Sequence, residues 1–135
     1  MSPSVPAYPA PAKTKTALVI DDFPSVRHYH SFILQKAGFV CRGAQNGTEA
    51  LELLKQQPVD LVVLDLVMPD MGGEELLAHL RASATWAQLP VLIITSESIG
   101  ERIRRERTPT AGPVGFVRKP LLPAAILAEV GRLMR

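Results

Sequence analysis

The strongest constraint on the fold is a set of apolar runs without polar interruption. Ala17, Leu18, Val19 and Ile20 run straight into Asp21 and Asp22, Leu61 to Leu64 of "VDLVVLD" run into Asp65, and "LPVLIITS" carries a third such block. A strand exposed on one side alternates apolar and polar residues. A run that is apolar at every position has to be covered on both faces, as in a parallel sheet sandwiched by helices. The segments between the runs read as those helices. Ser25 to Ala37 places Val26, Tyr29, Ile33 and Ala37 at helical spacing, with Gly38 as a stop. Gly47 to Gln57 sets Ala50, Leu51, Leu53 and Leu54 against charges, a third helix runs from about Glu74 to Ala82, and a last one from Ala124 to Met134. Leu18–Asp22, "FVCRGAQ", "VDLVVLD", "LPVLIITS" and "VGFVRKP" are the five strands. Strands alternating with helices predict a doubly wound α/β fold, with helices on both faces of a five-stranded parallel sheet.

Residues 1–14, "MSPSVPAYPAPAKT", are rich in Pro and Ala and are expected to be a disordered tail ahead of one domain over 15–135. Tyr8 in that tail reads as part of a linker or as a short recognition element. A formal charge of +2 and 5% aromatic residues show neither the basic face nor the stacking rings of a nucleic-acid binder. No apolar run approaches membrane-spanning length, and the N-terminus lacks a signal-peptide layout. The single cysteine, Cys41, excludes an internal disulfide and suits a reducing compartment, so a cytoplasmic protein is expected.

In parallel α/β sheets, ligands collect beyond the carboxyl ends of the strands. Those ends carry Asp21 and Asp22 on the first strand, Asp65 on the third, Thr95 on the fourth and Lys119 on the fifth. Three carboxylates on one rim repel one another, and a hard divalent cation such as Mg2+ offsets that repulsion. A hydroxyl and an ammonium facing the same cation suit the oxygens of a phosphoryl group. No "GxxxxGK[ST]" or "GxGxxG" loop is present, which argues against a nucleotide site. A plainer reading stands beside each residue: Asp22 and Ser25 as helix caps, Asp65 and Thr95 as ordinary strand ends, Lys119 as a surface lysine, and Phe116 as core.

From about Lys15 onward the chain resembles the receiver domain of two-component response regulators, of the chemotaxis-regulator type. The resemblance rests on "VIDDFPSVR", "NGTEALELL", "DLVVLDLVMPDMGG", "LPVLIITS" and "GFVRKP", in that order. It implies a flavodoxin-like sheet with strand order 2-1-3-4-5. Asp65 would be the phosphoacceptor, taking a phosphoryl group from a sensor histidine kinase or a histidine phosphotransfer protein. Asp22, Asp65 and the backbone carbonyl of Val67 would hold Mg2+, with Asp21 acting through a metal-bound water. Thr95 and Lys119 would meet the phosphoryl oxygens, Phe116 would change rotamer with Thr95, and Pro120 would follow a cis peptide bond after Lys119. Phosphorylation would switch a partner surface built from a short fourth helix over "IGERIRRER" (99–107), the fifth strand and the last helix. The downstream target is not legible, and a monomer or a phosphorylation-dependent dimer is expected.

Two rival readings are carried. One is a phosphorylation-independent interaction module on a receiver fold, against which the full set Asp22, Asp65, Thr95 and Lys119 argues. The other is a Mg2+-dependent phosphoesterase resembling the haloacid dehalogenases, which needs a second acid where this chain has Val67. No catalytic turnover is expected beyond slow loss of the phosphoryl group, tuned by Val67 and Glu97. The stretch "IGERIRRER" (99–107) is cationic and weakly anchored by Ile99 and Ile103, and is expected to meet an acidic partner surface. His28, His30 and His79 lack metal-ligand partners and read as satisfied or exposed histidines, Cys41 reads as a small buried hydrophobe, and Trp86 either caps the core edge or contacts a partner.

Overall fold

The continuous apolar runs form the middle of a parallel sheet in a computed structural model that describes residues 14–65, 72–95, 112–118 and 123–134. The elements are β1 (Lys15–Ile20), α1 (Pro24–Lys36), β2 (Phe39–Ala44), α2 (Gly47–Gln56), β3 (Leu61–Asp65), α3 (Gly73–Ala82), β4 (Val91–Thr95), β5 (Val114–Arg118) and α4 (Pro123–Leu133). The five strands lie in the order β2-β1-β3-β4-β5, all parallel. This is the doubly wound sheet expected from the alternation of strands and helices, in the flavodoxin-like order that the receiver resemblance implies. The segment 99–107 lies outside the described residues, as do Val67, Glu97, Lys119 and Pro120.

Alternation along the strands builds two cores. Leu18, Ile20, Val62, Leu64, Val91 and Ile93 point to one face, where Ala50 and Leu54 of α2 and Leu76, Leu77 and Leu80 of α3 cover them. Ala17, Val19, Leu61, Val63, Leu92 and Ile94 point to the other, beneath Ile33 and Leu34 of α1 and Ile126, Val130 and Leu133 of α4. β1, β3 and β4 are buried on both faces, which is why their sequences carry no polar alternation.

Local signals set the ends of the elements. α1 starts with Pro24 in its first turn, where a missing N–H costs nothing, and the chain turns out of it at Gly38, whose φ of 96° is left-handed. α2 has a reciprocal cap: Asn46 Oδ1 accepts from the Glu49 N–H at 2.8 Å, and Glu49 Oε1 accepts from the Gln45 N–H at 3.0 Å.

The buried stripe of α1 differs from the expected one. His30, Ile33 and Leu34 face the sheet, whereas Tyr29 is 42% exposed and Ala37 lies at the surface. Val26/Tyr29/Ile33/Ala37 and His30/Ile33/Leu34 are adjacent stripes that share Ile33. The imidazole of His30 occupies a core position that a hydropathy pattern assigns elsewhere. His28 and His79 are exposed, and Cys41 is only half-buried, its Sγ 3.6 Å from the Ser31 carbonyl oxygen. Among the described residues no helix is long and apolar enough to cross a membrane.

Candidate functional site

β1 ends at Ile20, two residues earlier than expected, because the chain turns at Asp21. The Asp21 N–H still donates to the Ala44 carbonyl at 3.1 Å, which carries the β1–β2 ladder one step further. Its carboxylate then accepts from the Phe23 N–H at 2.9 Å, bending the chain into α1. Arg27, one turn into that helix, donates from Nη1 to the Asp21 carbonyl at 2.6 Å. The carbonyl, the amide and one carboxylate oxygen of Asp21 are therefore all held. Asp22, next along, is half-buried.

Strand register brings Asp65 to the same place. Ile20 pairs with Leu64, so the residues after them, Asp21 and Asp65, stand side by side at the carboxyl edge. One ligand oxygen from each of Asp21, Asp22 and Asp65 lies within 4.8 Å of the others. Asp21 is 1% exposed and Asp65 7% exposed. Burial pushes the Asp21 carboxyl up to about 6, helped by the charge of Asp65 and opposed by the Phe23 amide bond.

Thr95 closes β4 at this edge, one step past the Asp65–Ile94 pair, and is itself paired with Arg118 at the end of β5. Its neighbours in the expected constellation, Val67, Lys119 and Pro120, fall outside the described residues. Phe116 is half-buried and packs on the α2–α3 side of the sheet. Its backbone N–H donates to Glu129 Oε2 of α4 at 3.2 Å.

The three acids form a hard, oxygen-only donor set with two members out of water. Such a set fits Mg2+, which is bound through one or two carboxylates and keeps several waters. Arg27 is the site residue that sequence reasoning missed. Its bond is to a backbone carbonyl, which leaves no mark in a residue pattern.

Comparison with known proteins agrees with this geometry. Residues 17–131 match the response regulator receiver domain family. The chain is 34% identical over 122 residues to the chemotaxis protein CheY-3 of Vibrio cholerae, covering 90% of this chain and 92% of that protein. It is also 34% identical over 119 residues to the two-component response regulator ORR5 of rice (Oryza sativa), covering 87% of each. Among solved structures, the chemotaxis response regulator CheY4 of Vibrio cholerae superposes with a TM-score of 0.79 at 28% identity, over 90% of this chain and 99% of that one. With the sheet order, the acidic edge and a match over most of its length, the chain belongs to the receiver-domain family of two-component response regulators.

Proposed function

We propose that this chain is a phosphorylation switch that accepts a phosphoryl group on Asp65. The observation that carries the proposal is the convergence of Asp21, Asp22 and Asp65 at one edge of the sheet, with ligand oxygens within 4.8 Å. Receiver domains as a family bind Mg2+ at an acidic pocket and work with histidine kinases and downstream targets. At an effective dielectric constant of 20, two charges 4.8 Å apart repel by about 3 kcal/mol, so the cluster favours a counter-cation. Asp22 and Asp65 are the direct ligand candidates, with the Val67 carbonyl. Asp21, whose carboxylate already accepts the Phe23 amide, is suited to act through a water. Bound Mg2+ would neutralise charge among the carboxylates and the incoming phosphoryl oxygens.

The protein's own part is nucleophilic. A carboxylate oxygen of Asp65 attacks the phosphorus of a phosphohistidine, an O–P bond forms as the N–P bond breaks, and the imidazole leaves and takes up a proton. Thr95 and Lys119 are assigned to the new phosphoryl oxygens, and Phe116 to reporting the change at β5. The switched surface comprises the cationic segment 99–107, β5 and α4, where it would meet a partner protein. The family match and the cluster geometry support this reading. Incubating the protein with Mg2+ and a small phosphodonor should add one phosphoryl group by intact mass, and Asp65→Asn should lose it. An unmodified wild type, with both the phosphodonor and a panel of histidine kinases, would refute the proposal in favour of a phosphorylation-independent module.

A further inference from the structure

At the edge of the sheet opposite the acidic cluster, the connections leading into β3 and β4 enclose a cleft of about 540 Å³. Trp86, half-buried, lines it together with Pro58, Val59 and Pro90, and Asp60 belongs to its wall. Asp60 is also the residue that holds the start of β1. Its Oδ2 accepts from the Thr16 N–H at 2.8 Å, and its own N–H donates to the Thr16 carbonyl at 2.8 Å. All five strands are parallel, so β1 begins at this edge, where Thr16 is bonded to Asp60 of the cleft wall.

The chain ahead of β1 begins "MSPSVPAYPAPAK". Pro3, Pro6 and Pro9 recur at every third residue, the repeat of a polyproline II helix, and therefore share one of its edges. Val5, Tyr8 and Pro11 share the next edge. At about 3.1 Å per residue the segment could span about 40 Å, so it reaches any part of a cleft that adjoins its point of attachment. Aromatic-lined grooves take proline-rich strands because the preformed helix has little conformational entropy left to lose. A short tether supplies an effective concentration on the order of millimolar, so a contact with a Kd of about 1 mM is already about half formed in cis.

We propose that residues 1–13 dock as a polyproline II strand in the Trp86 cleft of their own domain. The docked strand covers the indole and leaves the acidic cluster, at the far edge, untouched. Trp86 is the only tryptophan of the chain, so its fluorescence reports the cleft alone. Deleting residues 1–12 should red-shift the emission and increase acrylamide quenching, in wild type and Asp65→Asn backgrounds alike. The triple replacement Pro3→Ala, Pro6→Ala and Pro9→Ala should do the same in a full-length chain. A peptide of residues 1–14, titrated into the deletion variant, should shift the Trp86 indole N–H resonance saturably at about millimolar concentration. Unchanged emission and quenching after deletion would overturn the proposal. So would an effect that grows with protein concentration, which would put a second copy's tail in the cleft.

Discussion

Arg81 offers a sharp test of how this fold holds its edges together. It lies in the last turn of α3, and its guanidinium reaches back over the connection that follows. Nη1 donates to the carbonyls of Trp86 (3.0 Å), Ala87 (3.2 Å) and Leu89 (2.8 Å), and Nη2 donates to the Pro113 carbonyl at 2.9 Å. One side chain thus ties the α3–β4 connection to the entry of β5. Burial lowers the Arg81 pKa, and its Nε is buried without a hydrogen-bond partner among the described residues. Hydrogen bonds from a charged donor contribute about 1.5–3 kcal/mol each. Nη1 has two hydrogens for three carbonyls, so the Leu89 and Pro113 bonds dominate and give about 3–6 kcal/mol gross. Desolvation of the cation and the unpaired Nε subtract from this, leaving a net loss of about 2–4 kcal/mol for Arg81→Met, which keeps the apolar stem. Urea unfolding followed by circular dichroism should show a midpoint lowered by about 1–2 M with an unchanged slope. Gly112 supplies a second arm. A Cβ there would stand 2.6 Å from Arg81 Cζ and crowd the Ala87 carbonyl, so Gly112→Ala should displace the guanidinium. The double variant should then lose less than the two single losses together. A change within about 0.5 kcal/mol for Arg81→Met would refute the reasoning, because that is the size of an ordinary surface substitution.

Two further outcomes follow from other parts of the molecule. The Asp21 carboxyl, raised from 3.8 to about 6, holds in the folded state a proton that the unfolded chain has already released. Its contribution to stability is therefore greatest below pH 4 and falls as pH rises through about 6, by up to about 3 kcal/mol. In chelator, Asp21→Asn should stabilise the protein at pH 7 relative to wild type and lose that advantage near pH 4; the opposite trend in paired urea titrations would contradict the assignment. On the β5 edge, Glu129 Oε2 accepts the Phe116 N–H, whereas the Glu129–Arg132 pair at 2.8 Å is exposed on the arginine side. Glu129→Ala should cost about 1–2 kcal/mol in thermal or urea unfolding and Arg132→Ala less than about 0.5 kcal/mol, and equal losses would count against the amide's role.

What was legible in the residues, and what was not, divides along physical lines. β1, β3 and β4 are readable because burial on both faces removes every polar position, a pattern few other folds demand. The acidic edge is readable because parallel strands put all their carboxyl ends on one side, so acids distant in the chain become neighbours without any knowledge of side-chain packing. The stripe of α1 lies one position away from the expected one because the fold spends a core position on His30, which a hydropathy pattern leaves out of an apolar stripe. Arg27 and Arg81 escaped notice for a different reason. Both bond to backbone carbonyls, and a carbonyl looks the same in every residue, so no pairing of letters announces the contact. The doubled acid shows both limits at once. "DD" at a strand end suggests a cation, but the two letters are equivalent until the turn is built. The Phe23 amide and the Arg27 guanidinium then hold Asp21, while Asp22 is left half-buried. One Asp21 carboxylate oxygen is thereby engaged by its own backbone, so the turn, and not the letters, makes the two acids unequal, and the proposed assignment of Asp22 as the direct ligand rests on that inequality.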